Sequence, residues 1–200
     1  GGSGNDTVYA GSGNDRLDGG IGNDYLQGDA GSDTYVFSRG SGQDVISNND
    51  TGTGKTDALE FGADILPADI VMTRSGTDLV LAIAGTTDKV TVRSFFDTDG
   101  NGAYALEQVR FADGTTWDKA TVKLLAIAGN DTAQDLRGYA TADVINGLGG
   151  NDVISGGSGN DTIDGGDGAD SLNGDNGDDV IYGGSGNDTV YAGSGNDRLD

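Results

Sequence analysis

The sequence predicts an all-β protein in which two right-handed parallel β-roll segments flank a small β-rich spacer. Three observations predict this class. A nine-residue pattern repeats at both ends of the chain, and Gly accounts for 38 of 200 residues. Glu60 and Glu107 are the only glutamates among 33 acidic residues, so the other 31 are Asp. Glycines and short carboxylates at a fixed period favour a repeated turn.

The charge and the missing residue types exclude several classes of function. The formal net charge is −22 with only 11 Lys and Arg, so nucleic acid is not an expected partner. There is no Cys and no His, which excludes disulfides, thiolate metal sites and the commonest zinc ligand. No apolar run is long enough to span a membrane. Such an acidic chain repels itself, and divalent cations would reverse that repulsion.

The repeats define three segments. The first array, residues 1–36, reads GGSGNDTVY, AGSGNDRLD, GGIGNDYLQ and GDAGSDTYV. The second array, residues 138–200, reads GYATADVIN, GLGGNDVIS, GGSGNDTID, GGDGADSLN, GDNGDDVIY, GGSGNDTVY and AGSGNDRLD. The consensus is G-G-x-G-x-D-x-U-x, where U is a large apolar residue. Residues 37–137 lack this period and form the predicted spacer.

A longer repeat contains the shorter one. Residues 183–200 are identical to residues 1–18, at an offset of 182. The simplest interpretation is a longer parent chain that repeats a unit of this size in tandem. The sequence begins with Gly inside a repeat, so we expect it to be part of that chain, with targeting signals elsewhere. A duplicated or engineered sequence would have the same appearance.

The spacer has the pattern of an ordinary small β domain. Apolar and β-branched residues predict strands at 79–83, 89–92 and 108–111, separated by Gly-containing turns. Helical turns are expected only at 67–72 and 106–110. The predicted core residues of this segment are Phe61, Leu66, Phe95, Phe96, Phe111 and Trp117.

Each nonapeptide divides into a turn that can hold a cation and a short strand. The glycines allow carbonyl groups to point inward, and the Asp adds a charged oxygen to the same concave side, which suits Ca²⁺. The strand places one apolar side chain inside, and two units close a coil of 18 residues. Burying one apolar side chain does not offset the backbone entropy that nine residues lose on folding. Removing Ca²⁺ should therefore unfold the arrays. The predicted inward column is Val8, Leu17, Leu26, Ile145, Ile154, Ile163, Leu172, Ile181, Val190 and Leu199.

Eleven units in register resemble the RTX (repeats-in-toxin) family of haemolysin-type calcium-binding repeats. The resemblance implies several Ca²⁺ ions, each held between one turn and the turn two units later. It implies ligands from the carbonyls of positions 2 and 4 and the Asp of the first unit, and from the carbonyls of positions 1 and 3 and the Asp of the second. Carried over to this chain, the implied ligands are Gly2, Gly4, Asp6, Gly11, Gly13, Asp15, Gly19, Ile21, Asp24, Gly28, Ala30, Asp33, Asp152, Gly157, Gly159, Asp161, Gly166, Gly168, Asp170, Gly174, Asn176, Asp179, Gly183, Ser185, Asp188, Ala192, Ser194 and Asp197. The unit ending in Asp143 lacks the turn glycines, so its site is doubtful.

The spacer resembles the β-rich domain associated with haemolysin-type calcium-binding repeats. The stretches that carry the resemblance are TDALEFGADILPADIVMTRSGTDLVLAI, KVTVRSFF and LEQVRFADGTTWD. The resemblance suggests a cap and spacer that protects the open ends of the rolls.

Two weaker motifs have ordinary interpretations. Residues 97–102 read DTDGNG, like the start of an EF-hand loop, but Glu107 lies at position eleven of that loop and not at position twelve. A polar hairpin loop is favoured there. Residues 52–56 read GTGKT without the first glycine of a phosphate loop, so a flexible loop is favoured.

The expected function is that of a secreted Ca²⁺-binding tandem-repeat protein, structural or adhesive, and not itself an enzyme. Surface layers, matrix fibres, filaments and adhesin stalks at the bacterial cell surface suit such repeats. The resemblance implies type I secretion, with folding on Ca²⁺ outside the cell. Expected partners are Ca²⁺, other copies of the protein, or cell-surface and matrix components. The alternative is an accessory secretion module of a larger secreted enzyme or toxin whose catalytic domain lies outside this sequence.

Overall fold

The computed structural model describes all residues from 1 to 200. The chain divides into two compact units, Gly1–Lys123 and Leu124–Asp200. The boundaries predicted from the repeats, at 36/37 and 137/138, differ from this division and stay predictions about sequence organisation. None of the helices is long and apolar enough to cross a membrane.

The first unit begins with stacked coils. Its first strands are β1 (Gly2–Ser3), β2 (Thr7–Tyr9), β3 (Arg16–Asp18), β4 (Gly20–Ile21), β5 (Tyr25–Gln27), β6 (Thr34–Phe37), β7 (Gln43–Ile46) and β8 (Ala58–Phe61). β2, β5 and β7 stack in parallel in one sheet, and β3, β6 and β8 stack in parallel in another. β1 pairs in parallel with β4 in a separate two-stranded sheet. Val8 lies opposite Leu26, which is the 18-residue offset that two nonapeptides predict.

The spacer strands extend both of these sheets. They are β9 (Ile70–Ser75), β10 (Asp78–Ile83), β11 (Lys89–Val92), β12 (Gln108–Arg110) and β13 (Thr116–Asp118). β11 adds to β7 in parallel and is followed by antiparallel β10 and β9. β12 adds to β8 in parallel and is followed by antiparallel β13. The strands predicted at 79–83, 89–92 and 108–111 are confirmed, and the solenoid continues where the sequence period is lost.

Of the two predicted helical turns, the one at 67–72 is confirmed and the one at 106–110 is wrong. A 3₁₀ turn does form at Pro67–Asp69, and a second one forms at Asp97–Gly100. The turn expected at 106–110 is absent because Gln108–Arg110 pair with β8 instead. The helix α1 (Lys119–Ala126) was not predicted. Asp118 Oδ1 accepts the N–H of Thr121 at 2.8 Å, an N-cap that starts this helix.

The second unit is a β-roll of two parallel sheets. Its strands are β14 (Asp135–Arg137), β15 (Val144–Asn146), β16 (Val153–Ser155), β17 (Thr162–Asp164), β18 (Ser171–Asn173), β19 (Val180–Tyr182), β20 (Thr189–Tyr191) and β21 (Arg198–Leu199). Even-numbered strands form one sheet and odd-numbered strands the other. Ile154 lies opposite Leu172 and Ile163 opposite Ile181. β14 adds a strand before residue 138, where the predicted array began.

The core of each roll is a column of single apolar side chains. The predicted inward residues Leu17, Leu26, Ile145, Ile154, Ile163, Leu172 and Ile181 are all buried, as is Leu136. Val8 and Val190 are half-buried, and Leu199 is 50% exposed, because no further coil covers them within residues 1–200.

Aromatic side chains fill the core between the spacer strands. The Phe61 ring lies 5.2 Å from that of Phe111, which lies 4.7 Å from that of Trp117. Phe95 and Phe96 are buried, as predicted. The prediction for Leu66 was wrong, because this residue is 47% exposed just before the 3₁₀ turn.

Candidate metal centre

A ladder of hydrogen bonds joins the aspartates at position 6 of successive coils. The N–H of Asp161 donates to Asp179 Oδ1 at 2.8 Å, and the N–H of Asp6 donates to Asp24 Oδ1 at 2.8 Å. The same bond joins Asp15 to Asp33, Asp143 to Asp161, Asp152 to Asp170, Asp170 to Asp188, and Asp179 to Asp197. One oxygen of each accepting carboxylate therefore accepts a backbone N–H from the preceding coil.

The other carboxylate oxygen is buried and has no hydrogen-bond partner. This holds for Oδ2 of Asp6, Asp15, Asp24, Asp33, Asp44, Asp152, Asp161, Asp170 and Asp179. Asp33 is 0% exposed and Asp161 1% exposed. A buried charged oxygen without a partner costs about 1–3 kcal/mol or more. Nine such oxygens at equivalent positions of the turns are therefore a strong indication that cations complete these turns.

The first glycine of a unit lies where oxygens of two units meet. A side chain at Gly156 would approach both Asp161 Oδ2 and the carbonyl oxygen of Gly174 to less than 3.0 Å. Gly165 is crowded in the same way by Asp170 Oδ2 and the carbonyl oxygen of Gly183. Each cradle thus gathers a carboxylate oxygen of one coil and a carbonyl oxygen of the next.

The backbone leaves some carbonyl oxygens free for a ligand. The carbonyl of Gly157 accepts the N–H of Asn176 at 2.9 Å, whereas those of Gly156 and Gly159 accept no hydrogen bond. Gly157 and Gly159 have φ of 101° and 116°, a region that glycine enters without steric cost. The donor set is oxygen only, which fits the six to eight oxygen ligands of Ca²⁺.

Burial makes these carboxyl groups difficult to ionise without a cation. Burial, together with the charges of Asp179 and Asp143, raises the pKa of Asp161 to about 6. Burial likewise raises the pKa of Asp44 to about 6, and it raises the pKa of Asp33 and Asp152. A divalent ion would offset both the lost hydration and the repulsion.

The structure brings together the turns that the resemblance pairs. The N–H of Gly4 donates to the carbonyl of Ile21, and that of Gly13 to Ala30, both at 2.8 Å. In the second array the same bonds run from Gly168 to Ser185 at 2.8 Å and from Gly177 to Ser194 at 2.9 Å. The paired aspartates are those of the ladder. Which of these oxygens bind the ion stays a prediction.

Asp44 belongs to the ladder although the sequence analysis left it in the spacer. The N–H of Asp24 donates to Asp44 Oδ1 at 3.0 Å, across 20 residues where the arrays have 18. Residues 39–47 read RGSGQDVIS, a nonapeptide with Arg39 in place of the first glycine. The signal was present, but two inserted residues displaced it from the period.

At two doubtful sites a carboxylate oxygen already accepts a backbone N–H. Asp143 Oδ2 accepts the N–H of Tyr139 at 2.7 Å, so this unit uses within its own turn the oxygen that other units leave free. Glu107, the candidate last ligand of the loop 97–102, accepts the N–H of Asp57 at 2.8 Å instead.

Comparison with known proteins agrees with this geometry. The profile of the RTX calcium-binding nonapeptide repeat matches residues 1–35, 128–163, 137–172 and 164–199, together more than half of the chain. This chain belongs to the RTX family. The profile of the haemolysin-type calcium binding protein related domain matches residues 78–121 of this RTX chain.

A curated relative shares part of the chain. Iron-regulated protein FrpA of Neisseria meningitidis serogroup C is 42% identical over 105 residues. These residues are 52% of this RTX chain and 9% of the relative, so the chain spans a small part of that protein.

Membership of the RTX family establishes the general function of the chain. RTX repeats bind calcium, with several ions across an array, and RTX proteins are generally secreted by type I secretion. Their β-roll is typically non-catalytic. The chain is therefore a secreted, calcium-binding repeat protein.

Proposed function

We propose that this chain is a calcium-stiffened segment of a structural or adhesive tandem-repeat protein at the bacterial cell surface. One observation carries the proposal. The same 18-residue coil occurs twice and pairs through opposite faces. In residues 183–200, Thr189 pairs with Ser171 of the preceding coil, and in residues 1–18, Thr7 pairs with Tyr25 of the following coil. A coil inside a tandem array pairs with the preceding coil through one face and with the following coil through the other.

The proposed role of calcium follows from how each Asp divides its oxygens. Oδ1 accepts a backbone N–H of the preceding coil, while Oδ2 and the nearby carbonyls would bind the ion. Calcium supplies the positive charge that lets these acidic turns stack. The chain, with a net charge of −22, stays extended during export and folds outside, where calcium is abundant.

Calcium-dependent folding is tested by far-UV circular dichroism. Chelated protein is titrated with Ca²⁺, and with Mg²⁺ as the control for charge alone. We expect most of the β signal to appear with Ca²⁺ and little with Mg²⁺. A complete β signal in excess chelator would contradict the proposal.

The tandem role is tested on two copies joined at the 182-residue offset. Within residues 1–200 the N–H groups of Asp188 and Asp197 donate to no further coil, whereas the N–H of Asp170 already donates to Asp188 Oδ1. Joining should slow hydrogen exchange at Asp188 and Asp197 in Ca²⁺ and leave Asp170 unchanged. Equal exchange in one and two copies would show that the copies do not stack.

A second candidate is an accessory secretion module of a larger secreted enzyme or toxin. The small share of the relative that the chain matches, 9%, favours this reading. Sequencing the parent chain separates the two. Further copies at intervals of 182 residues favour the structural role, and a zinc or serine hydrolase motif favours the module.

A further inference from the structure

The carboxylate ladder of the first unit continues beyond the nonapeptides. The N–H of Asp33 donates to Asp57 Oδ1 at 2.8 Å, and the N–H of Asp57 donates to Glu107 Oε2 at 2.8 Å. Asp57 immediately precedes β8 and Glu107 precedes β12, as Asp15 precedes β3 in the same sheet. Asp57 and Glu107 are therefore the next two rungs of the edge formed by Asp15 and Asp33.

At these two rungs the carboxylate oxygens are already occupied. Asp57 Oδ2 accepts hydrogen bonds from Lys55 Nζ and, at 2.8 Å, from Asn48 Nδ2. Lys55 Nζ also lies 3.9 Å from Glu107 Oε2, and Lys119 Nζ lies 3.6 Å from Glu107 Oε1. The Asp57 side chain is 0% exposed and that of Lys55 11% exposed. Asp33 Oδ2, one rung earlier, has no partner.

We infer that Lys55 is a tethered cation that stands between Asp57 and Glu107 where the arrays would place a calcium ion. An ammonium group is a compact charge with three donors, so it can satisfy oxygens of two carboxylates at once. Lys119 adds a second positive charge at Glu107. These rungs consequently bind no calcium, and β8 and β12 fold without it.

The opposite edge of the same unit provides an internal comparison. Its rungs are Asp6, Asp24 and Asp44, and Asp44 Oδ2 has no hydrogen-bond partner. The next strand places Val90 opposite Asp44, and Asp88, which precedes that strand, accepts the N–H groups of Gly40 and Gly42. One edge thus keeps an unpartnered carboxylate oxygen at Asp44, whereas the rungs of the other edge at Asp57 and Glu107 are closed by a lysine. The lysine-closed edge gives the spacer a calcium-independent surface on which the coils of residues 1–36 stack once ions arrive.

Hydrogen exchange of the wild-type chain tests the inference, which rests on the proposed calcium ladder. In excess chelator, amides of β8 and β12 should stay protected, while those of β17 in the second unit should exchange freely and gain protection only with Ca²⁺. If β17 is protected in chelator, the proposed function fails. If β17 needs Ca²⁺ and β8 and β12 need it equally, only the tethered-cation inference is overturned.

Substitutions test the charge itself. Lys55→Met leaves Asp57 as a buried, uncompensated carboxylate and should lower β8 and β12 protection in chelator at least tenfold. Lys89→Met, the same charge change on β11, should leave that protection unchanged. The double variant Lys55→Met with Asp57→Asn removes both charges and should recover most of it. Wild-type protection in Lys55→Met, or no recovery in the double variant, would overturn the inference. If neither variant folds, the wild-type exchange decides.

Discussion

At the scale of single residues, each ladder aspartate gives its two carboxylate oxygens different tasks. Oδ1 accepts a backbone N–H from the preceding coil, a bond that a neutral amide oxygen could also accept. Oδ2 is buried without a hydrogen-bond partner. Asp→Asn substitution therefore separates the two tasks, because it keeps the shape and the acceptor while removing the charge.

Asp170→Asn should weaken calcium binding on both sides of this rung. Asp170 pairs with Asp152 and with Asp188, so one substitution affects two proposed sites. We expect the calcium midpoint of the second array to rise at least about tenfold, or about 1.4 kcal/mol, in a titration followed by circular dichroism. Asp167→Asn makes the same charge change at an exposed side chain and is the control. Equal shifts in both variants would mean that net charge alone matters.

The raised pKa of Asp161 predicts opposite pH dependences with and without calcium. Its folded pKa of about 6 lies above the ordinary value of 3.8, so the protonated form stabilises the metal-free fold. That contribution is full below about pH 4 and is lost as the pH rises through 6. Metal-free protein should show more β signal at pH 4.5 than at pH 7.5. Calcium affinity should instead fall below pH 6, because protons compete for the same oxygen.

At the scale of the turn, the second position of nearly every nonapeptide has a left-handed backbone. Most units place Gly there, but Leu148 adopts φ of 69° at this position. A branched side chain in this region is strained by about 1–2 kcal/mol, and Leu148 gains little from burial because it is 47% exposed.

Leu148→Gly should therefore stabilise the calcium-loaded second array by about 1 kcal/mol, after allowing for the extra flexibility of unfolded glycine. Urea unfolding in saturating Ca²⁺ measures the change. Leu136→Gly, in a buried strand position, is the contrasting variant and should destabilise. A destabilised Leu148→Gly would mean that the side chain makes contacts that outweigh the strain.

The nine-residue period made the strands and turns of the arrays predictable, because one inward residue such as Ile163 and one Asp such as Asp161 recur at fixed places. The rungs of the spacer could not be predicted in this way. Asp57 lies 24 residues after Asp33, and Glu107 lies 50 residues after Asp57, so only the folded backbone aligns them. Helix α1 was missed although its cap, Asp118, is a recognisable start signal.

At the scale of the whole molecule, like charges and thin cores act against folding. The net charge is −22, and the ladder places buried carboxylates one above another within each roll. Screening by salt reduces repulsion between exposed charges, but it does not supply ligands to buried oxygens. Bound calcium can do both.

Compaction should therefore require calcium and not ionic strength alone. Small-angle scattering of chelated protein should give a larger radius of gyration than the calcium-loaded protein gives. Sodium chloride at matched ionic strength should recover only a small part of the difference. Full compaction in sodium chloride would indicate that screening, and not coordination, holds the coils together.

Most strands of the second unit are three residues long, with only the middle residue turned inward, as in the buried Ile154 between exposed Val153 and half-buried Ser155. Two strand positions in every nine thus face outward and contribute no side chain to the apolar column. Mutation at these positions can change the chemistry of the outer face, from aromatic to charged, while the apolar column beneath remains as it is. Variation of the outer surface and maintenance of the fold therefore depend on different positions of the same nonapeptide.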